Sequence, residues 1–213
     1  MQSTIKIYKN NNMKKTILLL ALVILSGSIF AKQEVSSARV AKKGVLVDKS
    51  NPKKTTTSGT IGFNATTDKD AKPKAENKTV IATVDIMKGT VAFEVIIKNF
   101  SFENPMMQEH FNSATWMDSE KFPTATFNGS LTNLDVINFK KTGTYPAGVT
   151  GELTIHGVTK TVNTSGSILV SGKSIKVACD FKILLGDYGI NGPAIAAGKV
   201  ASETKISVSA EMK

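Results

Sequence analysis

One cysteine, one tryptophan and two histidines are spread over 213 residues, and these scarcities close off several kinds of chemistry. The lone Cys179 cannot form an internal disulfide, so the fold is not stapled from within. No HExxH, no paired cysteines and no Asp/His cluster at ligand spacing occur, which removes the usual zinc arrangements, and no CxxCH offers covalent haem attachment. A GxSxG elbow is also missing, and no set of nucleophile, base and acid can be assembled. The expected protein is therefore no enzyme and holds no cofactor or metal. Nothing repeats, and no strand alternates with a long helix, so parallel α/β folds are excluded.

The formal charge of +10 invites a nucleic-acid reading, but its placement argues otherwise. Residues 1–31 carry four lysines and no acid; residues 32–54 carry seven basic residues against Glu34 and Asp48; from residue 55 onward, 16 basic and 15 acidic residues nearly cancel. That nearly neutral part has no basic stripe with interleaved aromatics, so no nucleic-acid partner is expected. Met13-Lys14-Lys15 followed by the apolar run Thr16 to Phe30 and then Ala31 reads as a secretory signal peptide, with Met13 as the natural start. The run is shorter than the ~20 residues a spanning helix needs. With no cysteine near the cleavage point, a lipoprotein anchor is excluded. Three segments follow as expectations: a signal peptide over 1–31, a basic flexible arm over 32–57 and a barrel domain over 58–213. The arm holds one short strand at Gly44 to Asp48 and suits transient contact with anionic membrane surfaces. The mature chain is expected in the periplasm or outside the cell.

What the chain has in abundance is two-residue alternation. Ser58 to Thr66, Lys78 to Ile86, Thr90 to Lys98, Thr124 to Leu134, Val149 to His156, Val158 to Ile168, Lys173 to Leu185 and Lys199 to Met212 each place apolar side chains on one face. Turns are expected at Lys88-Gly89, His156-Gly157 and Ser171-Gly172, and a turn-rich tip at Lys140 to Pro146. Between the third and fourth strands, Asn99 to Phe127 holds half of the ten phenylalanines, three of the seven methionines and the only tryptophan. Within it Pro105 to Asn112 predicts a short helix, with Asn104 as N-cap and Pro105 at the first position. Met107, His110 and Phe111 share one stripe of that helix. Eight antiparallel strands can close into a barrel that holds one small ligand, or stack as a two-sheet sandwich. The apolar surplus of the Phe/Met segment favours an all-β, eight-stranded barrel with a helical plug, since each Å² of apolar surface buried contributes ~25 cal/mol.

Three motifs carry a family resemblance. His110-Phe111-Asn112 with Trp116, Asp118 to Pro123 and Ala125 to Phe127 is similar to a signature of the YceI-like family. Gly151-Glu152-Leu153-Thr154-Ile155-His156-Gly157-Val158-Thr159-Lys160 resembles its central hairpin, and Phe181-Lys182-Ile183 with Asp187 to Ile190 its closing segment. The resemblance covers about Ser58 to Met212. It implies a lipocalin-like barrel, exported, binding polyisoprenoid, isoprenoid quinone or another lipid in the lumen, for transport or storage and without catalysis. The family's usual opening, a Ser-containing strand with a histidine-bearing partner, is only faintly matched by Val47 to Ser50. That departure implies a divergent, shorter branch with an incomplete front wall and a shallower pocket.

The expected lumen residues are the in-phase apolar ones nearest the plug: Phe93, Val95, Phe127, Leu131, Leu153, Ile155, Phe181 and Ile183. From the plug itself come Phe100, Phe102, Met107, Phe111, Trp116 and Phe122, with His110 placed to meet a polar head group at the mouth. His156 is expected to hydrogen-bond within its turn, and Cys179 to be an inert thiol on the apolar face of its strand. The residues alone also allow a solid core and a domain acting through its surface; the resemblance favours the cavity.

Overall fold

Strand follows strand in the computed structural model, which describes residues 52–213. The leader and most of the arm, including the strand expected at Gly44 to Asp48, lie outside the described residues. Eight strands run in order: β1 (Lys53–Asn64), β2 (Lys74–Asp85), β3 (Thr90–Ile96), β4 (Thr124–Leu131), β5 (Gly143–Ile155), β6 (Val158–Ser171), β7 (Ser174–Leu184) and β8 (Glu203–Met212). Each pairs antiparallel with its neighbours in sequence, and β8 returns to β1, closing the barrel. The sandwich alternative is thereby excluded, because the β1–β8 pairs Thr60↔Ser209 to Asn64↔Lys205 leave no open edge there.

Alternation predicts the strands well and their ends less well. β1 begins at Lys53, five residues inside the expected arm. Lys54, Thr55 and Thr56 pair with Val84, Thr83 and Ala82 of β2, so a polar run becomes strand because a partner backbone lies beside it. The front wall is complete, contrary to expectation, since β1 is bonded on both sides. β4 stops at Leu131, short of Leu134, where a 3-10 turn over Leu134–Val136 takes over. Asn133 fills the vacated place, donating from Nδ2 to Pro146 O (3.1 Å) and accepting Gly148 N–H at Oδ1 (2.8 Å). For the same reason β5 starts early, at Gly143, and turns the expected tip into strand. Pro146 is tolerated within it because its missing N–H faces this side, where no strand partner stands. β8 starts late, at Glu203, after a 3-10 turn (Leu185–Tyr188) and a short helix α2 (Pro193–Ala196).

The predicted plug helix is present as α1 (Pro105–Asn112), capped by Asn104, whose side chain accepts Met106 N–H at 2.9 Å. The β5–β6 hairpin turns on two positive-φ residues, His156 (φ 51°) and Gly157 (φ 75°), the two-residue geometry that matches strand twist. Antiparallel order puts α1, α2 and the 65–73, 97–123 and 185–202 connections at one end, here called the upper end. The lower end carries the tight β2–β3 and β6–β7 turns and the 132–142 loop.

Candidate functional site

The inward faces form two apolar clusters. The lower one is closed at the bottom by Val170, Ile175 and Met212, all at most 2 % exposed, with Ile137 packed on them from the loop, while its Val84, Leu131 and Ile168 form the floor of the space above. The upper one surrounds a cavity of about 390 Å³. Larger rings account for the difference: Phe63, Phe93, Phe127 and Phe181 stand around the void and are only half-buried.

The cap over this cavity is aromatic. Phe63 of β1 stacks on Phe111 of α1 (centroids 5.4 Å, 12° between planes), and Phe100 and Phe102 meet both rings at 5.1–5.7 Å. Pairs of this geometry contribute about 0.5–1.5 kcal/mol each beyond area burial, so α1 is docked through Phe111 against three rings. Trp116 closes the opposite side. A Cβ at Gly192 would lie 2.9 Å from its Cζ3, so the backbone of the 185–202 connection comes as close to the indole as glycine permits.

Fourteen of the fifteen residues expected in the lumen line this cavity: Phe93, Val95, Phe100, Phe102, Met107, His110, Phe111, Trp116, Phe127, Leu131, Leu153, Ile155, Phe181 and Ile183. Phe122 does not. Counting back by twos from inward Phe127 and Ala125 leaves Phe122 on the outer face. There it meets His156 edge-on (4.5 Å) and covers Gly157, under the Lys121 ammonium at 5.1 Å. His156 is corrected too: its Nδ1 lies 3.2 Å from Tyr188 O, far along the chain rather than within its own turn. The sequence reading missed Ile61, Phe63, Val162, Ile206 and Val208 as lining residues, although each is in phase on its strand; closure of the barrel, which brings β1, β6 and β8 around the void, is what enlists them.

The polar atoms of the lining are few and placed at the top. Asp70, His110 and Lys199 come from the connections and helix over the upper end, and Thr204 from the start of β8. Deeper in, Thr164 and Cys179 line the wall from β6 and β7; burial pushes the thiol pKa up, against a smaller opposing effect of the Thr164 side chain. An un-ionised thiol in an apolar wall behaves as a small hydrophobe. Among the described residues, no group of three His, Cys, Asp or Glu side chains is placed to hold a metal ion. Such a site can receive an apolar chain and offer hydrogen bonds to a polar end at the mouth.

Architecture and cavity together define a lipocalin-like barrel: eight antiparallel strands around an apolar lumen under a helical cap. The chain belongs to the YceI-like domain family, whose model matches residues 36–212 and so begins well ahead of Ser58. UPF0312 proteins of Pseudomonas putida are 35 % identical over 91 residues, a match spanning 40 % of this chain and 44 % of the curated relatives. Among solved structures, a polyisoprenoid binding domain from Saccharophagus degradans shares the fold at TM-score 0.65 and 10 % identity, over 76 % of this chain and 98 % of that one. Burkholderia cenocepacia BcnA does so at TM-score 0.61 and 18 % identity, over 73 % and 96 %.

Proposed function

We propose that this protein is a non-catalytic carrier that holds one apolar chain, an isoprenoid or another single-chain lipid, in the barrel lumen for storage or transport. The observation that carries this reading is the capped cavity of about 390 Å³, walled by aromatic and aliphatic side chains. Its volume lies within the roughly 300–1,000 Å³ of small-molecule sites. A domain acting only through its surface has no use for such a void, since unfilled space costs dispersion contacts that a solid core keeps. Each CH2 group transferred from water into this lumen contributes about 0.8 kcal/mol, and the half-buried rings supply the contact surface. The polyisoprenoid ligand named for the Saccharophagus neighbour supports the same class of cargo. The Lys14-Lys15 leader and its apolar run support export, with the mature chain starting near Lys32.

Native mass spectrometry of the mature protein from its own envelope fraction, followed by organic extraction, tests the reading. A stoichiometric lipid is expected, and Phe127→Glu or Phe181→Glu protein that remains folded by circular dichroism should lose it. An apo mass that takes up neither added isoprenoid quinone nor fatty acid overturns the carrier reading. N-terminal sequencing of the same material tests export, with a start near Lys32 expected.

A further inference from the structure

The barrel wall is not hydrogen-bonded evenly all the way round, and two interruptions in its upper half are treated differently. Between β2 and β3 the ladder stops at Ile81↔Glu94. That break is sewn: wholly buried Asn77 donates from Nδ2 to Ile96 O (2.8 Å) and accepts Thr79 N–H at Oδ1 (2.8 Å), while Glu76 and Ser101 exchange backbone bonds at 2.8 and 3.3 Å. Between β6 and β7 the ladder runs from Ser171↔Ser174 to Gly166↔Cys179 and stops, although both strands continue upward. Extending the register would set Ser165 opposite Asp180 and Thr161 opposite Leu184, yet no pair forms over these five positions. At 3.3 Å per residue the unpaired slot is about 16 Å long.

Both ends of the slot are held. At its lower apex Gly166 lies tight against β7; a Cβ there would come 2.3 Å from Ala178 O and 2.6 Å from Cys179 Cβ. Just above, Thr164 of β6 and Cys179 of β7 both face the lumen. At the upper end the Leu185–Tyr188 turn packs on β6, with His156 Nδ1 at 3.2 Å from Tyr188 O. The inner edges are apolar, Val162 on β6 and Phe181 with Ile183 on β7. Gly166, Ser167, Ala178, Cys179 and Val208 line both the lumen and an outer cleft bordered by Ser165 and Asp180, so inside and outside meet the same residues here.

We propose that this β6–β7 slot is the lateral gate through which the apolar chain passes into and out of the lumen, an inference that rests on the carrier reading above. The lower end is solid. Passage end-on through the top would undock α1 and break its four-ring cluster, whereas widening the slot costs no ladder bond and strains the His156–Tyr188 contact at its upper end. A lateral gate also lets a long chain slide in along its length instead of threading from one tip.

The test closes the slot in the full-length protein. With Cys179→Ala as background, Asn163→Cys and Lys182→Cys place thiols on the outer face across the slot; Leu169→Cys and Lys176→Cys place them across the paired half of the same strands. Each pair is oxidised, or bridged by a short bis-maleimide where no disulfide forms, and uptake of cis-parinaric acid is followed by stopped-flow fluorescence. Closing 163/182 should slow uptake about ten-fold or more, the scale of one added barrier of ~1.4 kcal/mol, while 169/176 stays within about two-fold. Gly166→Ala, which pries the apex open, should speed release. Uptake by the closed 163/182 protein at the unbridged rate overturns the gate and leaves the carrier reading standing. No uptake by the unbridged protein, together with an apo native mass, removes the carrier reading and the gate with it.

Discussion

The lower and upper halves of this barrel are built from the same eight strands with the same alternation, yet one half is filled and the other hollow. Below, compact aliphatic residues such as Val170, Ile175 and Met212 interlock until almost nothing is left exposed. Above, rings on β1, β3, β4 and β7 stand around a void and are roofed by a separate aromatic cap. Side-chain shape decides the outcome: branched aliphatics fill the centre of a narrow barrel, whereas flat rings standing on the wall leave space between opposite strands. The lower half therefore holds the fold together, and the upper half is left to hold something else.

Mutations should separate the two halves. The largest effect is expected from Ile175→Ala in the solid half, which should cost about 2–5 kcal/mol in denaturant unfolding and leave lipid uptake per folded molecule unchanged. Phe181→Ala in the hollow half removes a larger side chain but should cost less, about 1–2 kcal/mol, because the ring already borders empty space; lipid binding should weaken instead. Equal stability losses at the two sites would erase the distinction. Asn104→Ala removes the α1 cap and should cost about 1 kcal/mol locally, seen as faster amide exchange over residues 106–112 with little shift in global unfolding.

The smallest effect concerns pH and belongs to the lower end. The Asp85 carboxylate accepts the Lys88 and Met87 amide hydrogens at 2.9 and 3.0 Å. Its pKa is lowered from the ordinary 3.8, chiefly by the Lys88 N–H, against a smaller opposing effect of burial. A folded pKa below the unfolded one means the contribution is complete above the unfolded value and is lost as pH falls through the folded value. The β2–β3 turn should thus loosen only below about pH 4, while the upper-end cap keeps its protection factors; Asp85→Asn should remove this acid step. Amide exchange at Met87 and Lys88 against pH reads it directly.

Much of this was legible in the residues. Two-residue alternation carried eight strands, and the Asn104-Pro105 pair with the Met107, His110, Phe111 stripe located α1 at its observed bounds, because caps and periodicity are local properties. The same alternation picked out lumen residues on β3, β4, β5 and β7. Phe122, assigned to the lumen with the plug segment, lies outside, where counting by twos from Phe127 places it.

The sequence by itself determined which face of each strand turns inward, where the helix sits and that no metal or nucleophile motif is present, since these depend on residue type and short spacing. Only the tertiary structure decided that β8 closes onto β1 rather than stacking in a second sheet, that Lys53 to Thr57 joins the wall, and that Asn133 replaces a strand residue beside Pro146. It alone decided that the inward faces are full at one end and empty at the other, and that β6 and β7 part company above Gly166. Those outcomes are set by strand closure and by how side chains from distant strands meet across a shared interior, and no local spacing encodes that meeting.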